Sequence, residues 1–202
     1  MPMRTTKAPD RRAIIEQAGE LFYNRGTYLV GMAELVKALN LTRVAFYGLF
    51  KGKEELIVEY LKARDEAVRR QLEDVVAGKS HGTEAIFAIF DSLHRKTTSD
   101  RFRGCAFLAA TIENPQSEAI RHVAVAHKDY LKQLFARLLN CSAAQDPRPL
   151  QLLVLYDGVL AGSVFRPDGS AARSARATVE AIFSAHGDAS ADDSMPQREK
   201  RA

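Results

Sequence analysis

Residues 31–50, GMAELVKALNLTRVAFYGLF, decide the expected fold of the N-terminal region. Apolar residues recur at helical spacing on both sides of Asn40, and asparagine tolerates the left-handed backbone conformation that a sharp turn requires. Thr42 can cap a second short helix by accepting a hydrogen bond from an early backbone N–H. The stretch therefore predicts a helix, a tight turn at residues 40–42 and a second helix over residues 43–49.

The second short helix has one face for packing and one face for contact with a partner. Leu35, Leu41 and Phe46 can fix the two helices against each other, which leaves the N-terminal part of the second helix exposed. A recognition helix enters the major groove of DNA in this orientation. Arg43 could reach a phosphate or make a bidentate contact to guanine, and the small side chain of Ala45 permits close approach to a base.

Positive charge is concentrated near this motif. Residues 1–64 contain eleven Lys and Arg against seven Asp and Glu, whereas the remaining residues are balanced. Lys53 begins the next helix, where a cation opposes the helix dipole, so an anionic partner would explain it. Tyr47 and Lys51 flank the recognition helix, and no acidic residue lies between Arg43 and Lys53. The pattern favours a phosphate-binding rim, and a solvated basic loop is the alternative.

The rest of the chain also shows the helical period, without the sustained alternation of a half-buried strand. A first helix carries Ile14, Ala18 and Phe22 on one face and stops at residues 24–26. We therefore predict an all-α protein of about nine helices and a polar, disordered tail over residues 187–202. The further helices are expected at residues 53–76, 83–96, 105–113, 117–139, 146–164 and 170–185.

Composition argues against several other classes of protein. Cys105 and Cys141 lie far apart and form no metal-ligand spacing, so we expect a reduced cytoplasmic protein without a metal or cofactor. There is neither a signal-peptide pattern nor an apolar run of about 20 residues, so no membrane association is expected. Asp91 and His94 have the acid-x-x-His spacing of a metal-binding helix, but the second such motif of a di-metal bundle is missing. A surface pair or a capping contact is the simpler interpretation of these two side chains.

The N-terminal residues resemble the DNA-binding domain of the TetR family of repressors. The resemblance runs from Arg11 to Leu56, about a quarter of the chain, with many positions in register. It is carried by Ala18, Leu21-Phe22, Gly26, Leu35-Val36, Leu41-Thr42, Phe46-Tyr47, Phe50 and Lys53-Glu54-Glu55-Leu56.

The resemblance implies a three-helix DNA-binding domain over residues 8–55 and a helical effector-binding and dimerisation domain over residues 56–186. It also implies a homodimer that binds a palindromic operator in double-stranded DNA. By the same resemblance Thr42, Arg43 and Ala45 would lie at the recognition surface, whereas Tyr47 and Lys53 would hold the phosphate backbone.

The chain departs from the family pattern at three places. Val30-Gly31 replaces the usual pair of hydroxyl residues before the second helix, which removes a side-chain cap and a phosphate contact. Val44 replaces a residue that is usually glycine. Gly48 weakens the recognition helix by up to about 1 kcal/mol relative to alanine, although it could also allow close approach of the backbone.

The C-terminal region has a looser resemblance to the effector domain of one TetR subgroup. It is carried by residues 103–108, 113–115, 126–128 and 156–158, and it implies a small-molecule pocket beside the long helix and a dimer made by the last two helices. Aromatic walls with a few polar groups are typical of ligand pockets, and on that ground the candidates are Tyr60, Phe90, Phe107, Glu113, His127 and Tyr156. Each of them has a structural alternative, since aromatic residues on apolar helix faces are usually core. Cys105 is expected to be a packed thiol rather than a redox sensor.

The sequence therefore predicts a DNA-binding transcriptional regulator and not an enzyme. The preferred hypothesis is a repressor that a small molecule releases from its operator. A constitutive dimeric repressor without a ligand and, much less favoured, a helical metal-dependent enzyme are the alternatives. A ligand-responsive protein should contain a cavity, whereas a pure dimerisation domain should be packed solid.

Overall fold

The computed structural model describes residues 10–80 and 82–185 of the 202-residue chain. All regular secondary structure within these ranges is helical, which confirms the predicted all-α class with about nine helices. The predicted disordered tail, residues 187–202, lies outside the described residues. The helices are α1 (Arg11–Arg25), α2 (Met32–Ala38), α3 (Arg43–Leu49), α4 (Lys53–Val76), α5 (Gly82–Thr97), α6 (Ala106–Glu113), α7 (Glu118–Leu138), α8 (Arg148–Phe165) and α9 (Ser170–Ala185).

Local sequence signals account for where these helices begin and end. The Asp10 carboxylate caps α1 by accepting a hydrogen bond from the Arg12 N–H at 3.0 Å. The helix stops at Gly26, whose φ of 86° lies in the left-handed region that favours glycine. Asn40 adopts a φ of 51°, as expected for the turn. The predicted bounds of the helices are confirmed to within about two residues.

One helix begins later than predicted. The sequence suggests Asp146 as the cap of α8, but the helix starts at Arg148 with Pro147 as its N-cap residue. The reason is that the Asp146 carboxylate accepts from the Arg148 backbone N–H at 2.8 Å and also binds the Arg148 guanidinium at 2.6 Å. The local Asp146–Arg148 pair therefore closes the turn before the helix.

The buried residues form two hydrophobic clusters that share α4. The first cluster joins α1, α2, α3 and the N-terminal half of α4 to α6 and the start of α7. The second joins the C-terminal half of α4 to α5, α7, α8 and α9. The predicted domain boundary after residue 55 therefore lies inside a continuous helix, and Leu56, Ile57 and Leu61 belong to the first cluster. No helix of the described residues is long and apolar enough to cross a membrane.

Candidate nucleic-acid interface

The turn between α2 and α3 holds the two short helices in a fixed relation. The Leu41 N–H donates to the Val36 carbonyl at 2.8 Å, which closes the turn behind Asn40. Phe46 of α3 is fully buried, and its ring centroid lies 5.6 Å from that of Phe50. One face of α3 is therefore anchored in the first cluster, and the opposite face is left for contact with a partner.

The outward face of α3 carries four of the five predicted DNA-binding residues. Thr42 caps the helix, because its hydroxyl accepts from the Ala45 N–H at 3.1 Å, as predicted. Arg43 and Tyr47 are exposed, and Ala45 is half-buried between them. Arg43 forms no ion pair with any described residue, so its guanidinium is available to a phosphate or a base.

Val44 is the residue of this face that the sequence argument missed. Its side chain is 84% exposed at the position next to Arg43. A branched apolar side chain at the exposed start of α3 suits contact with a thymine methyl group. The exposure of Val44 could have been predicted from the helical period, because Val44 lies two positions before the buried Phe46 and therefore on a different face of α3.

Lys53, the fifth predicted DNA-binding residue, lies at the start of α4 and not on α3. Its ammonium donates to the Val30 carbonyl at 2.8 Å and to the Tyr28 carbonyl at 3.3 Å. Partial burial lowers the pKa of Lys53, and the charge of Glu113 opposes that shift. Lys53 therefore supports the loop between α1 and α2, and contact with a phosphate remains a prediction that competes with these two carbonyls.

The same loop is held from its other side by α6. The Glu113 carboxylate accepts from the Thr27 backbone N–H at 2.5 Å, from the Thr27 hydroxyl at 2.6 Å and from the Tyr28 N–H at 3.0 Å. A Cβ on Gly26 would lie 2.9 Å from this carboxylate, so the close approach also requires glycine. Glu113 therefore joins α6 to the loop between α1 and α2, and its contact with a ligand stays a prediction.

The loop also explains the unusual Val30-Gly31 pair. Val30 is fully buried and belongs to the first cluster, so an apolar residue is required there. Gly31 is the N-cap of α2, makes no side-chain cap and has open space around the position of a Cβ. Gly31 therefore supplies no hydroxyl to cap α2, although the space around it would accommodate a side chain.

The other candidate ligand residues lie in packed environments. Phe90 is buried between Phe135 and Tyr156, with ring centroids 6.3 and 6.5 Å away. The Phe107 ring stacks on the His127 ring, with the two ring centroids 3.8 Å apart. His127 Nδ1 lies 2.7 Å from the Asp65 carboxylate, and burial lowers the pKa of His127 to about 4.

Two small cavities lie beside some of these candidates. One, of about 20 Å³, is lined by Tyr60 and Glu113, and the other, of about 10 Å³, by Tyr156. Each has room for about one water molecule at most. Burial raises the pKa of Tyr60 to about 12, and its buried hydroxyl has no hydrogen-bond partner. The six predicted ligand residues are therefore not brought together around one of these cavities.

The residues considered for metal binding or redox sensing do not form a common site in the part of the chain that the structure describes. The Asp91 carboxylate pairs with Arg176 at 2.9 Å rather than with His94. The residues that the structure describes contain no group of three metal-ligating side chains. Cys105 is the N-cap residue of α6 and lies between the two clusters, 3.9 Å from the Lys128 ammonium.

Comparison with known proteins agrees with this geometry. Residues 14–60 match the sequence model of the family described as bacterial regulatory proteins, tetR family. A TetR-family transcriptional regulator from Streptomyces coelicolor is 26% identical with a TM-score of 0.78, over 87% of this chain and 95% of that chain. Residues 14–60 therefore carry the DNA-binding domain of the TetR family, and the chain has the fold of TetR-family regulators. No curated protein sequence matches it.

Two further TetR-family structures are similar to this chain over most of its length. A TetR-type regulator from Streptomyces avermitilis is 26% identical with a TM-score of 0.77, over 89% of this chain and 98% of that chain. The regulator CifR, in a cysteine mutant solved with a 26-base-pair operator, is 28% identical with a TM-score of 0.68. That match covers 89% of this chain and 98% of CifR. The helix-turn-helix at residues 31–50 is thus part of a transcriptional regulator, and its relatives are regulators rather than enzymes.

Proposed function

We propose that this TetR-family regulator binds a palindromic operator as a homodimer and represses transcription until a small molecule releases it. The observation that carries the proposal is the exposed face of α3, which presents Arg43, Val44 and Tyr47 while Phe46 is buried. Two such helices related by a two-fold axis would read half-sites in successive major grooves. A protein acting on bacterial operator DNA would work in the cytoplasm.

Operator binding is supported by the charge around α3. Arg43 and Lys51 are exposed and face no acidic residue between them along the chain. Phosphate contacts supply most of the affinity, whereas contacts to base edges supply specificity. We assign Arg43 and Val44 to base reading, Tyr47 to the backbone, and Lys53 to support of the loop behind the interface.

A homodimer is supported by an unpaired apolar strip on α8. Leu150, Val154, Val164 and Phe165 are all exposed, and Phe165 is 84% exposed. An isolated regulator would leave this strip in water, whereas a two-fold contact would bury it against its own copy. Phe165→Glu should give monomers by analytical ultracentrifugation, and Leu29→Glu, which changes an exposed apolar residue of the α1–α2 loop, should not.

Release requires a physical link between the effector region and α3. Glu113 of α6 and Lys53 of α4 hold the α1–α2 loop from two sides, and α4 runs through both hydrophobic clusters. A ligand that shifts α4 or α6 would therefore move the loop that precedes α2. Such coupling typically amounts to about 1 to 3 kcal/mol between the two sites.

The proposal is tested first by selection of bound fragments from random duplex DNA. We expect a palindrome whose affinity falls steeply with salt concentration. A folded dimer that enriches no sequence would contradict operator binding. The purified operator then allows a ligand screen in which loss of DNA binding is the readout.

A second candidate is a constitutive repressor without a ligand. It is favoured by the packing around the predicted ligand residues, since the cavities beside Tyr60 and Tyr156 have room for little more than one water each. This candidate predicts that no small molecule changes operator affinity. A ligand that weakens DNA binding by about tenfold, or 1.4 kcal/mol, would decide against it.

A further inference from the structure

An open cleft lies beside α4 and α5, and none of the six predicted ligand residues lines it. It is bounded by α4, α5 and the segment that joins α5 to α6, and its volume is about 570 Å³. Small-molecule sites are typically about 300 to 1,000 Å³. The cleft is therefore of ligand size, unlike the two cavities inside the helical core.

The charge of the cleft has a single sign. Its lining includes Arg64, Arg95, Lys96 and Arg101, and it includes no carboxylate. None of these four cations forms an ion pair with a described residue, whereas Arg69, Arg137 and Arg176 elsewhere in the same region each pair with an acid. Four unpaired cations around one opening repel one another, and an anion between them would remove that cost.

Lys96 is the cation of the cleft that also lines an inner cavity. It is half-buried, it donates no hydrogen bond to a described residue, and it lines both the cleft and the small cavity beside Tyr156. Burial, with a further effect of the Arg64 charge, lowers the pKa of Lys96 to about 8. An ammonium in this position is partly withdrawn from solvent and has no partner among the described residues, and a bound carboxylate or phosphate would supply the partner.

Arg64 is held in an orientation that suits an anion. Its guanidinium carbon lies 4.2 Å from the centroid of the Tyr23 ring, so the planar fork is fixed by stacking. A fixed guanidinium loses less freedom when it binds a carboxylate or phosphate in a bidentate manner. The cleft also contains Phe102 and Val75, which provide apolar surface for the body of a ligand.

We propose that this cleft binds a small organic anion, a carboxylate or phosphate on an apolar body, with its charged group between Arg64 and Lys96. The proposal rests on the proposed ligand-responsive function and names the chemical class of the effector. Tyr23 belongs to α1, and its hydroxyl accepts from the Arg103 N–H at 2.9 Å. A ligand bound to Arg64, which stacks on Tyr23, therefore acts directly on the first helix of the DNA-binding region.

Binding is measured on the full chain without DNA, by isothermal titration calorimetry with benzoate and phenyl phosphate. Benzyl alcohol serves as the neutral analogue, and inorganic phosphate serves as the anion without an apolar body. We expect one of the two organic anions to bind with one site per chain and the neutral analogue not to bind. Stronger binding of phenyl phosphate would assign the phosphate class, and stronger binding of benzoate the carboxylate class.

Three variants locate the site. Arg64→Gln and Lys96→Met should each weaken the binding by about tenfold or more, because each removes a charge-assisted contact. Lys96→Met also removes a desolvated charge, so the variant should fold with at least the wild-type melting temperature. Arg70→Gln changes an exposed arginine of α4 outside the cleft and should leave binding unchanged. Absence of anion binding, or equal binding by all three variants, would overturn the proposal.

The operator assay separates this proposal from the proposed function. If another ligand releases the DNA and Arg64→Gln and Lys96→Met respond normally, the cleft proposal fails and the ligand-released repressor stands. If the organic anion binds the cleft without any change in operator affinity, the site stands and its role as the effector site fails. A smaller salt dependence of operator binding in the Arg64→Gln variant would instead assign the cleft to DNA, which also overturns the proposal.

Discussion

The residues predicted from sequence lie together on the outer face of α3, whereas those predicted for the interior of the C-terminal helices are dispersed. In α3, four of five predicted contact residues lie together on one short exposed element. Among the C-terminal helices and their neighbours, the six predicted ligand residues are distributed between core packing, an inter-helix bond and two very small cavities.

The difference has a physical cause. A recognition surface is a set of exposed residues on a short helix whose buried side is fixed by one or two aromatic residues, so the local period identifies it. A ligand pocket and a packed core are both lined by apolar and aromatic side chains. Only the distances between helices distinguish the two, and those distances depend on residues far apart in the chain.

Removal of a predicted pocket aromatic gives the largest expected effect. Phe90→Ala should reduce the free energy of unfolding by about 3 to 5 kcal/mol, because Phe90 fills the space between Phe135 and Tyr156. Chemical denaturation measures the change. Tyr28→Ala, at an aromatic that is 69% exposed, should stay within about 0.5 kcal/mol. Equal, small losses in both variants would mean that Phe90 borders a ligand space after all.

The buried His127 gives the next effect, and it depends on pH. Its pKa is about 4 in the folded protein and about 6.5 in an unfolded chain, so the unfolded state binds more protons between these values. Stability should therefore rise from pH 4 to pH 6.5 by on the order of 3 kcal/mol from this residue and should not change further above pH 6.5.

The His127 prediction is measured by denaturant unfolding across this pH range. His127→Gln retains a side-chain hydrogen-bond donor for Asp65 but cannot be protonated. The variant should lose most of the rise, so an identical pH profile in both proteins would show that other groups produce it.

Arg43→Ala tests the exposed region. We expect a loss of about 1 to 3 kcal/mol in operator binding and a broader set of accepted sequences, if Arg43 reads a base. The melting temperature should not change, because the side chain is exposed and unpaired. Arg12→Ala, which removes an exposed arginine of α1 that pairs with Glu16, is the control.

Lys53→Ala distinguishes the two roles of that residue in the same assay. A phosphate contact predicts a salt slope that is smaller by about 1. Support of the loop through Val30 and Tyr28 predicts weaker binding and lower stability with an unchanged slope. Unchanged operator affinity in both Arg43→Ala and Lys53→Ala would remove α3 from the interface.

Gly48→Ala gives the smallest expected effect. The position has open space for a Cβ, so alanine should stabilise the helix by up to about 1 kcal/mol. A thermal melt measures this gain. Loss of operator affinity in the stabilised variant would indicate that the DNA backbone approaches Gly48 closely, and unchanged affinity would indicate that it does not.

The helices and the helix-turn-helix could be predicted from the sequence because the interactions that form them are local. The cap at Thr42, the left-handed Asn40 and the stop at Gly26 depend on residues within one or two helical turns. The sequence shows Val44 only as a departure from the family pattern, whereas the structure shows that its side chain is exposed. The hydrogen bonds of Glu113 to Thr27 could not be predicted, because nothing near Glu113 in the chain indicates Thr27 as its partner.

Within the described residues, the sequence by itself determined the all-α class, the nine helices and the position of the helix-turn-helix, since helical period and capping act between neighbouring residues. The tertiary structure alone decided which polar groups are satisfied within the protein and which face solvent. Glu113 and Thr27 meet across 86 positions. Arg64 stacks on Tyr23 and lines one cleft with Lys96 only because α1, α4 and α5 pack together. Long-range contacts of this kind depend on how several helices fill a common volume, which no single segment specifies.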